Sequence, residues 1–283
     1  MALRMEDRTT VLYVINALGQ IPYWQAAGAG FSRAASQMKV RTEFAGPNSY
    51  DEKAQLAEFQ KAVRQKASGI LVSPADPVLM KPDIDAAIAA GIPVITFDSD
   101  SPGSRRLLFI GTNNYQAGVM GGEIAVKQLT GKGDVMVFTM PNQANLKERL
   151  EGYKSVFASH SQIKIVEVVD VHGDPRIAFD KTMEVIDKRT PKVDAFVCLE
   201  AQSGKEVAEV LHRKGTKDKV VVAMDTDEET LEWIRKGVIV ATIAQKPFTM
   251  AFFGLKMLDD LHHQQTSTQG SPAAQDPFAV LPR

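Results

Sequence analysis

Short runs of aliphatic and β-branched residues recur along the whole chain, separated by longer stretches of mixed polarity. Within most of these runs the apolar residues follow one another without alternation, a pattern typical of strands that are buried on both faces of a parallel sheet. The first half has five such runs, at Thr10–Ile15, Val40–Phe44, Gly69–Val72, Pro93–Phe97 and Leu107–Ile110. The second half repeats the rhythm at Asp134–Phe138, Ile163–Val169, Ala195–Leu199, Val220–Met224 and Val238–Ile243.

The stretches between the runs are amphipathic at helical spacing. Leu56, Phe59 and Val63 recur in this way between residues 50 and 66, and residues 178–188 form a second such stretch. Alternating strands and helices build parallel sheets through right-handed crossovers. The doubled rhythm therefore predicts an α/β protein of two similar, doubly wound parallel-sheet lobes. The join at residues 110–114 has no linker composition, so we expect closely coupled lobes; only residues 264–274 resemble a linker.

Composition and charge narrow the classes of function. The 283 residues are 44% hydrophobic and 24% charged, and the net charge is −1. A protein with this charge has no strong positive electrostatic field to attract the phosphates of nucleic acid, so we expect no nucleic-acid partner. The one cysteine, Cys198, lies in an apolar run and is predicted to be a buried packing residue. No apolar run approaches the ~20 residues of a membrane span, and Met1–Arg8 shows no signal peptide.

Polar side chains gather at the ends of the predicted strands, where open α/β sheets bind their ligands. Carboxylates accept hydrogen bonds, guanidinium groups donate them, amides do both, and aromatic faces cover C–H surfaces. This combination of side chains suits the binding of a polyhydroxylated ligand. The candidate ligand-binding residues are Tyr23, Trp24, Ser73, Asp98, Ser99, Arg149, Glu200, Asp225 and Gln245.

Catalytic and metal-binding interpretations of the chain have less support. Residues 98–100 match the D-x-D of glycosyltransferases, but no nucleotide loop accompanies them. Residues 225–230 lack the glycine that a calcium loop needs at its sixth position. Gly28 and Gly30 lie inside a helical segment and are interpreted as small residues for close helix–sheet packing. Because the histidines lack an orienting carboxylate, we expect no catalytic residue, no metal and no cofactor.

Two interpretations stay open for the adjacent aromatics Tyr23 and Trp24. They follow Ile21 and Pro22, where a loop turns into a helix beside the predicted ligand cleft. That position favours contact with a ligand. Aromatic residues near a helix start are also common in hydrophobic cores, which is the alternative.

Seven segments, taken in order, resemble the ribose-type periplasmic sugar-binding proteins, the substrate-binding components of ABC importers. Each segment alone is a weak match, and their order along residues 10–262 makes the resemblance strong. The segments are Pro22–Trp24, Gly69–Pro74, Gly91–Asp98, Ile110–Asn114, Lys147–Tyr153, Val222–Asp225 and Ala241–Pro247.

The resemblance implies a type I periplasmic-binding-protein-like architecture with the sugar in a cleft between two lobes. The N-terminal lobe would comprise residues 1–111 plus 246–263, the C-terminal lobe residues 112–245, and a tail residues 264–283. By the same resemblance, the aromatic pair stacks on the sugar, and Asp98 and Arg149 form a charged pair with one member from each lobe. The further hydroxyl ligands that it implies are Ser73, Asp225 and Gln245.

Three departures from the family pattern bear on the ligand. Ser99 stands where ribose binders carry arginine, Glu200 where they carry asparagine, and Gly173 where an aromatic residue is expected. We therefore expect a ligand other than ribose bound in the usual way. The family also ends in a strand that crosses back between the lobes, whereas this chain stops at Val280–Arg283, so we expect an incomplete or trimmed third crossing.

The expected function is capture of a small sugar or polyol by lobe closure, for the membrane permease of an ABC importer. We expect a periplasmic or otherwise extracytoplasmic monomer that is not an enzyme, with its signal peptide absent from this chain. The main alternative is the effector domain of a lactose-repressor-type regulator, but this needs a helix-turn-helix of about 60 residues ahead of the first strand. Only nine residues precede Thr10. A sugar-modifying enzyme is disfavoured because no base, nucleophile or phosphate loop is visible.

Overall fold

The computed structural model describes residues 10–17 and 21–268, with side chains as far as Gln264. Three parts of the chain lie outside this range. They contain Met1–Arg8 and Val280–Arg283, for which the sequence analysis states expectations, and residues 18–20, in the loop that follows the first strand. The chain divides into two compact units, Met1–Ile110 with Pro247–Arg283 and Gly111–Lys246, called here the N-terminal and C-terminal lobes.

The N-terminal lobe is built on a five-stranded parallel sheet with strand order β2-β1-β3-β4-β5. Its strands are β1 (Val11–Ile15), β2 (Arg41–Ala45), β3 (Gly69–Val72), β4 (Val94–Phe97) and β5 (Leu108–Ile110). Its first helices are α1 (Pro22–Met38), α2 (Glu52–Arg64) and α3 (Pro77–Ala89). Every residue of the inner strands β3 and β4 is buried, as the unbroken apolar runs predict.

The C-terminal lobe repeats this arrangement, with strand order β10-β9-β8-β6-β7. Its strands are β6 (Gly133–Thr139), β7 (Ile163–Asp170), β8 (Ala195–Cys198), β9 (Val220–Met224) and β10 (Ala241–Ile243). Its helices are α4 (Asn114–Gln128), α5 (Ala144–Phe157), α6 (Pro175–Lys188), α7 (Ser203–Arg213) and α8 (Glu228–Arg235). The predicted α/β class, with two similar parallel-sheet lobes, is confirmed.

Helix α9 (Pro247–Thr268) returns the chain to the N-terminal lobe, where it packs on α1. It extends into the segment from 264 that the composition assigns to a linker-like tail, and residues beyond 268 lie outside the described range. None of the described helices combines the length and apolar character needed to cross a membrane.

Gly28 and Gly30 have different surroundings on α1. A Cβ atom on Gly30 would lie 2.3 Å from the carbonyl oxygen of Phe248 on α9, whereas one on Gly28 would meet nothing within 4 Å. The interpretation of this pair as helix–sheet packing is therefore wrong. Gly30 permits close contact between two helices, because the face of α1 that carries it packs against α9 and not against a strand.

Candidate ligand site

Asp98 and Asp225 occupy equivalent positions, each directly after the fourth strand of its lobe in chain order. The Asp98 N–H donates to the Ile110 carbonyl at 3.0 Å, and the Asp225 N–H donates to the Ile243 carbonyl at 2.9 Å. Both residues have left-handed backbones, with φ of 62° and 67°. This conformation is uncommon for residues other than glycine, is tolerated best by aspartate and asparagine, and is concentrated at functional sites. In each sheet, the same left-handed backbone and the same hydrogen bond to the neighbouring strand thus hold a carboxylate at the carboxyl ends of the strands.

In the N-terminal lobe, predicted site residues from three elements meet at the Asp98 carboxylate. The Tyr23 hydroxyl donates to Oδ1 at 2.5 Å, and the Ser73 hydroxyl donates to Oδ2 at 2.9 Å. The Ser99 N–H donates in turn to Ser73 Oγ at 3.3 Å. Hydrogen bonds to an ionised acceptor are stronger than neutral ones, so this cluster fixes the orientation of the carboxylate.

Ser99 contributes a buried hydroxyl to this cluster. Its Oγ and the Asn16 Oδ1 are buried atoms without a hydrogen-bond partner among the described residues. Buried polar atoms in folded proteins are almost always paired with protein or water. The Ser99 hydroxyl therefore offers a donor and an acceptor to a ligand or a water at the end of β4.

Gln55 supports the N-terminal cluster and was missed by the sequence analysis. Its amide nitrogen donates to the carbonyls of Asn16 (2.6 Å) and Ser73 (2.7 Å), and its oxygen accepts from the Ala75 N–H at 2.9 Å. One buried amide thus ties together the ends of β1 and β3. A signal was present, since Gln55 lies four residues before Phe59 on the apolar stripe of α2.

In the C-terminal lobe, Arg149 on α5 is 2% exposed and donates to three acceptors. Nε donates to Asn114 Oδ1 at 2.9 Å, Nη1 to the Leu199 carbonyl at 2.7 Å and Nη2 to Gln245 Oε1 at 2.6 Å. These bonds use three of the five guanidinium N–H groups and leave one on each Nη. Among the described residues, no carboxylate of this lobe forms an ion pair with Arg149. A buried cation with two donors remaining suits a ligand rich in oxygen acceptors.

Close contact between α4 and α5 sets the position of Arg149. A Cβ atom on Gly118 would lie 2.0 Å from the Arg149 carbonyl oxygen, and one on Gly152 would lie 2.2 Å from the Tyr115 carbonyl oxygen. Glycines on both helices thus let the two backbones approach each other. The approach brings the Arg149 side chain to Asn114, the first residue of α4.

Gln245 joins the two charged residues of the C-terminal lobe. Its Nε2 donates to Asp225 Oδ1 at 3.0 Å, while its Oε1 accepts from Arg149 and, at 2.9 Å, from the Thr112 hydroxyl. Thr112 and Asn114 lie in the join at residues 110–114 and were not predicted as part of the site. The sequence could not distinguish Asn114 from Asn113, whose side chain caps α4 by accepting from the Gln116 N–H.

Glu200 has a structural role that the sequence analysis did not foresee. Its buried carboxylate accepts from the N–H groups of Gln202 and Ser203, each at 2.7 Å, and from the Ser203 hydroxyl. Acceptors at a helix N-terminus satisfy otherwise unpaired N–H groups, so Glu200 caps α7. Contact between Glu200 and a ligand stays a prediction.

For Trp24, the structure supports the core alternative. The side chain is 5% exposed and lies in the N-terminal core with Ala27 and Phe31, its ring edge-on to Phe97 at 5.7 Å. Of the aromatic pair, Tyr23 alone reaches the Asp98 cluster. Asp98 and Arg149 belong to different lobes, and their joint contact with one ligand stays a prediction.

Comparisons with known proteins place the chain among binding proteins. The D-allose-binding periplasmic protein of Escherichia coli is 26% identical over 250 residues, 84% of this chain and 80% of that protein. The arabinose-binding protein AraP of Geobacillus stearothermophilus is 31% identical, with a TM-score of 0.75, covering 97% of this chain and 93% of that one. An ABC transporter solute-binding protein of Burkholderia graminis C4D1M, solved with D-arabinose, is 27% identical, with a TM-score of 0.85 and coverage of 96% and 93%.

A family model described as "Periplasmic binding protein domain" matches residues 12–265, which include both lobes and every candidate site residue. The expected resemblance is thereby confirmed, and the chain belongs to the periplasmic binding protein family.

Proposed function

We propose that the protein captures an uncharged sugar or polyol outside the cytoplasm and presents it to the permease of an ABC importer, without catalysing a reaction. The observation that carries the proposal is the pair of equivalent carboxylates, Asp98 and Asp225, each held at a strand end among amide and hydroxyl groups. Such groups recognise hydroxyls in both hydrogen-bonding directions. The sugar-binding names of the relatives support the same function.

We propose further that one ligand contacts both half-sites. Tyr23, Ser99 and Asp98 would supply its contacts from the N-terminal lobe, and Arg149 and Asp225 those from the C-terminal lobe. Contacts from both lobes exist only when the lobes close on the ligand, so binding would shift the population towards a closed state. The protein would act as a monomer, and its capture of solute would take place in the periplasm or another extracytoplasmic space.

The charges of the candidate site favour a neutral ligand. Asp98, Asp225 and Glu200 are carboxylates, while Arg149 is the single cation among the candidate residues. An anionic sugar would meet more repulsion than attraction at these positions. Hydroxyl groups can donate to the carboxylates and accept from Arg149, so pentoses, hexoses and polyols match the site. The names of the relatives do not favour the regulator alternative.

A thermal-shift screen tests this proposal directly. The panel comprises D-allose, D-ribose, L-arabinose, D-xylose, D-glucose, D-galactose and xylitol, with D-glucuronate as an anionic control. A ligand present at a hundred times its dissociation constant stabilises the folded state by about 2.7 kcal/mol, which gives a clear upward shift. We expect at least one neutral compound to shift the unfolding temperature and D-glucuronate to leave it unchanged. If no neutral sugar or polyol gives a shift, the proposal fails.

A further inference from the structure

The C-terminal lobe has a groove at the amino ends of its strands, whereas its candidate ligand residues lie at the carboxyl ends. The groove has a volume of about 690 Å³ and is bounded by the segments that follow α6 and α7, which lead into β8 and β9. Its apolar lining includes Val185 and Val193, both buried. The volume lies in the range of small-molecule sites, roughly 300–1,000 Å³.

The lining of this groove is strongly basic. It contains the four cations Arg189, Lys192, Lys217 and Lys219 against one carboxylate, Asp218. The chain as a whole carries a net charge of −1, so positive charge is concentrated here. Lys192 pairs with Asp194 at 2.8 Å and Lys219 with Asp218 at 3.0 Å. Arg189 and Lys217 form no ion pair with any described residue, so their charges are not neutralised locally.

Helix dipoles do not account for these two unpaired cations together. Basic residues stabilise helix C-termini, but the effect falls off within the last turn. It can explain Arg213, in the last turn of α7, and Arg189, directly after α6. Lys217 lies four residues beyond the end of α7 and is therefore outside that range. The helix dipole therefore does not account for Lys217, which lines the groove together with Arg189.

The groove walls are fixed to one another. Lys214 Nζ, after α7, pairs with Asp187 Oδ1 on α6 at 2.6 Å. Asp194, which holds Lys192, also accepts from the Asp134 N–H at 3.0 Å and so ties its wall to β6. A preformed cavity loses less conformational entropy on binding than a loose surface does. The groove is thus a concavity whose walls are linked by polar contacts.

We propose that this groove binds a phosphate-bearing ligand. The Arg189 guanidinium matches two phosphate oxygens at once, Lys217 supplies a second positive charge, and the apolar lining receives the organic part of the ligand. Either a soluble organic phosphate or a phospholipid headgroup presents this chemistry. This site is separate from the C-terminal part of the proposed sugar site, since the two lie at opposite ends of the strands of the same sheet.

Calorimetric titration with inorganic pyrophosphate at low ionic strength tests this site. The test variant is Arg189→Ala/Lys217→Ala. The control is Lys53→Ala/Lys256→Ala, which removes two exposed cations from the N-terminal lobe and changes the net charge equally. We expect the groove variant to weaken pyrophosphate binding at least about tenfold and the control to bind normally. Circular dichroism melts of all three proteins check that each is folded.

A parallel arm uses vesicles of phosphatidylglycerol and phosphatidylcholine to separate the two sources of phosphate. Vesicle binding that depends on Arg189 and Lys217, without pyrophosphate binding, assigns the ligand to a lipid headgroup. Pyrophosphate binding alone assigns it to a soluble phosphate. The proposal is overturned if the wild-type protein binds neither probe, or if the groove variant and the control lose binding equally, since that would be a general effect of net charge.

Discussion

Two aspartates with left-handed backbones are the residues on which the candidate site depends most. Asp98 and Asp225 follow equivalent strands, and their N–H groups bond to the end of the neighbouring strand in the same way. Asparagine and aspartate tolerate this backbone conformation better than alanine does. The same residue type therefore suits the left-handed turn and supplies the charge that the proposed ligand contact needs.

The backbone requirement is testable at Asp98. Asp98→Asn should unfold at nearly the wild-type urea concentration, because asparagine adopts φ near 62° with little strain. Asp98→Ala should lower the free energy of unfolding by about 1–2 kcal/mol, because alanine lacks the short polar side chain that makes this backbone conformation tolerable and that accepts from Tyr23 and Ser73. Equal stability of the two variants would show that the turn does not select the residue.

Arg149 holds the C-terminal half-site together through three acceptors. Arg149→Ala would leave the Asn114 Oδ1 and the Leu199 carbonyl without this donor, and Gln245 Oε1 with the Thr112 hydroxyl alone, so we expect a loss of about 1–3 kcal/mol in unfolding free energy. Sugar affinity should fall at the same time. Arg149→Lys should recover little affinity, because one ammonium group cannot reproduce the guanidinium fork. Calorimetry decides this, and near-normal affinity in Arg149→Ala would mean that other groups hold the ligand.

At the scale of elements, the contact between α1 and α9 depends on one glycine. Gly30→Ala would place a methyl group against the Phe248 carbonyl, so we expect a loss of about 1–3 kcal/mol in unfolding free energy. Gly28→Ala, two residues away on the same helix, is the matched control. It should be neutral or stabilising by up to about 1 kcal/mol, because its methyl group meets nothing. Urea unfolding compares the two, and equal effects would contradict the packing account.

The loop between β4 and β5 is fastened by Asp100, whose carboxylate binds Arg106 through Nε at 2.5 Å and Nη2 at 2.6 Å. Burial alone would raise the pKa of Asp100, but hydrogen bonds from Arg106 and Thr96 outweigh it and lower the pKa below its usual value. The folded-state pKa is thus depressed, so the stabilisation is complete above the unfolded pKa and is lost as pH falls through the folded one.

The lowered pKa of Asp100 predicts that replacing this aspartate by asparagine makes the free energy of unfolding less sensitive to acid. Between pH 7 and pH 3, Asp100→Asn should lose less unfolding free energy than the wild-type protein, because the variant has no carboxylate to protonate at this position. Asp260→Asn, which removes an exposed carboxylate on α9, is the control for the loss of one negative charge. Urea titrations at the two pH values measure this, and parallel losses in all three proteins would exclude the Asp100 contribution.

Elements with a strong apolar pattern could be predicted closely from the sequence, and those governed by local capping could not. The β9 run was predicted with its observed bounds, because a buried inner strand is apolar throughout. The run at Val238 was placed three residues too early. The Val238 and Ile239 N–H groups bond to the Trp233 carbonyl and so complete the end of α8 before β10 begins at Ala241. Apolar residues in a helix cap resemble the start of a strand.

At the scale of the whole molecule, the doubled strand rhythm was sufficient to predict two similar lobes. Most candidate residues were chosen because they follow a predicted strand, since the carboxyl ends of parallel strands meet at the same side of a sheet. Gln55 and the capping role of Glu200 were missed, because both depend on which backbone groups lie within hydrogen-bond reach. Residue type alone does not specify such contacts.

The central claim is that a single neutral sugar contacts both lobes, and calorimetry of two matched variants tests it most directly. Asp98→Asn and Asp225→Asn remove equivalent charges from the two lobes while keeping a residue that tolerates the left-handed turn. With the sugar found by the screen, we expect each variant to bind at least about tenfold more weakly than the wild-type protein, because hydrogen bonds to a charged group are worth ~1.5–3 kcal/mol. Wild-type affinity in either variant would contradict the claim, since the ligand would then depend on one lobe alone.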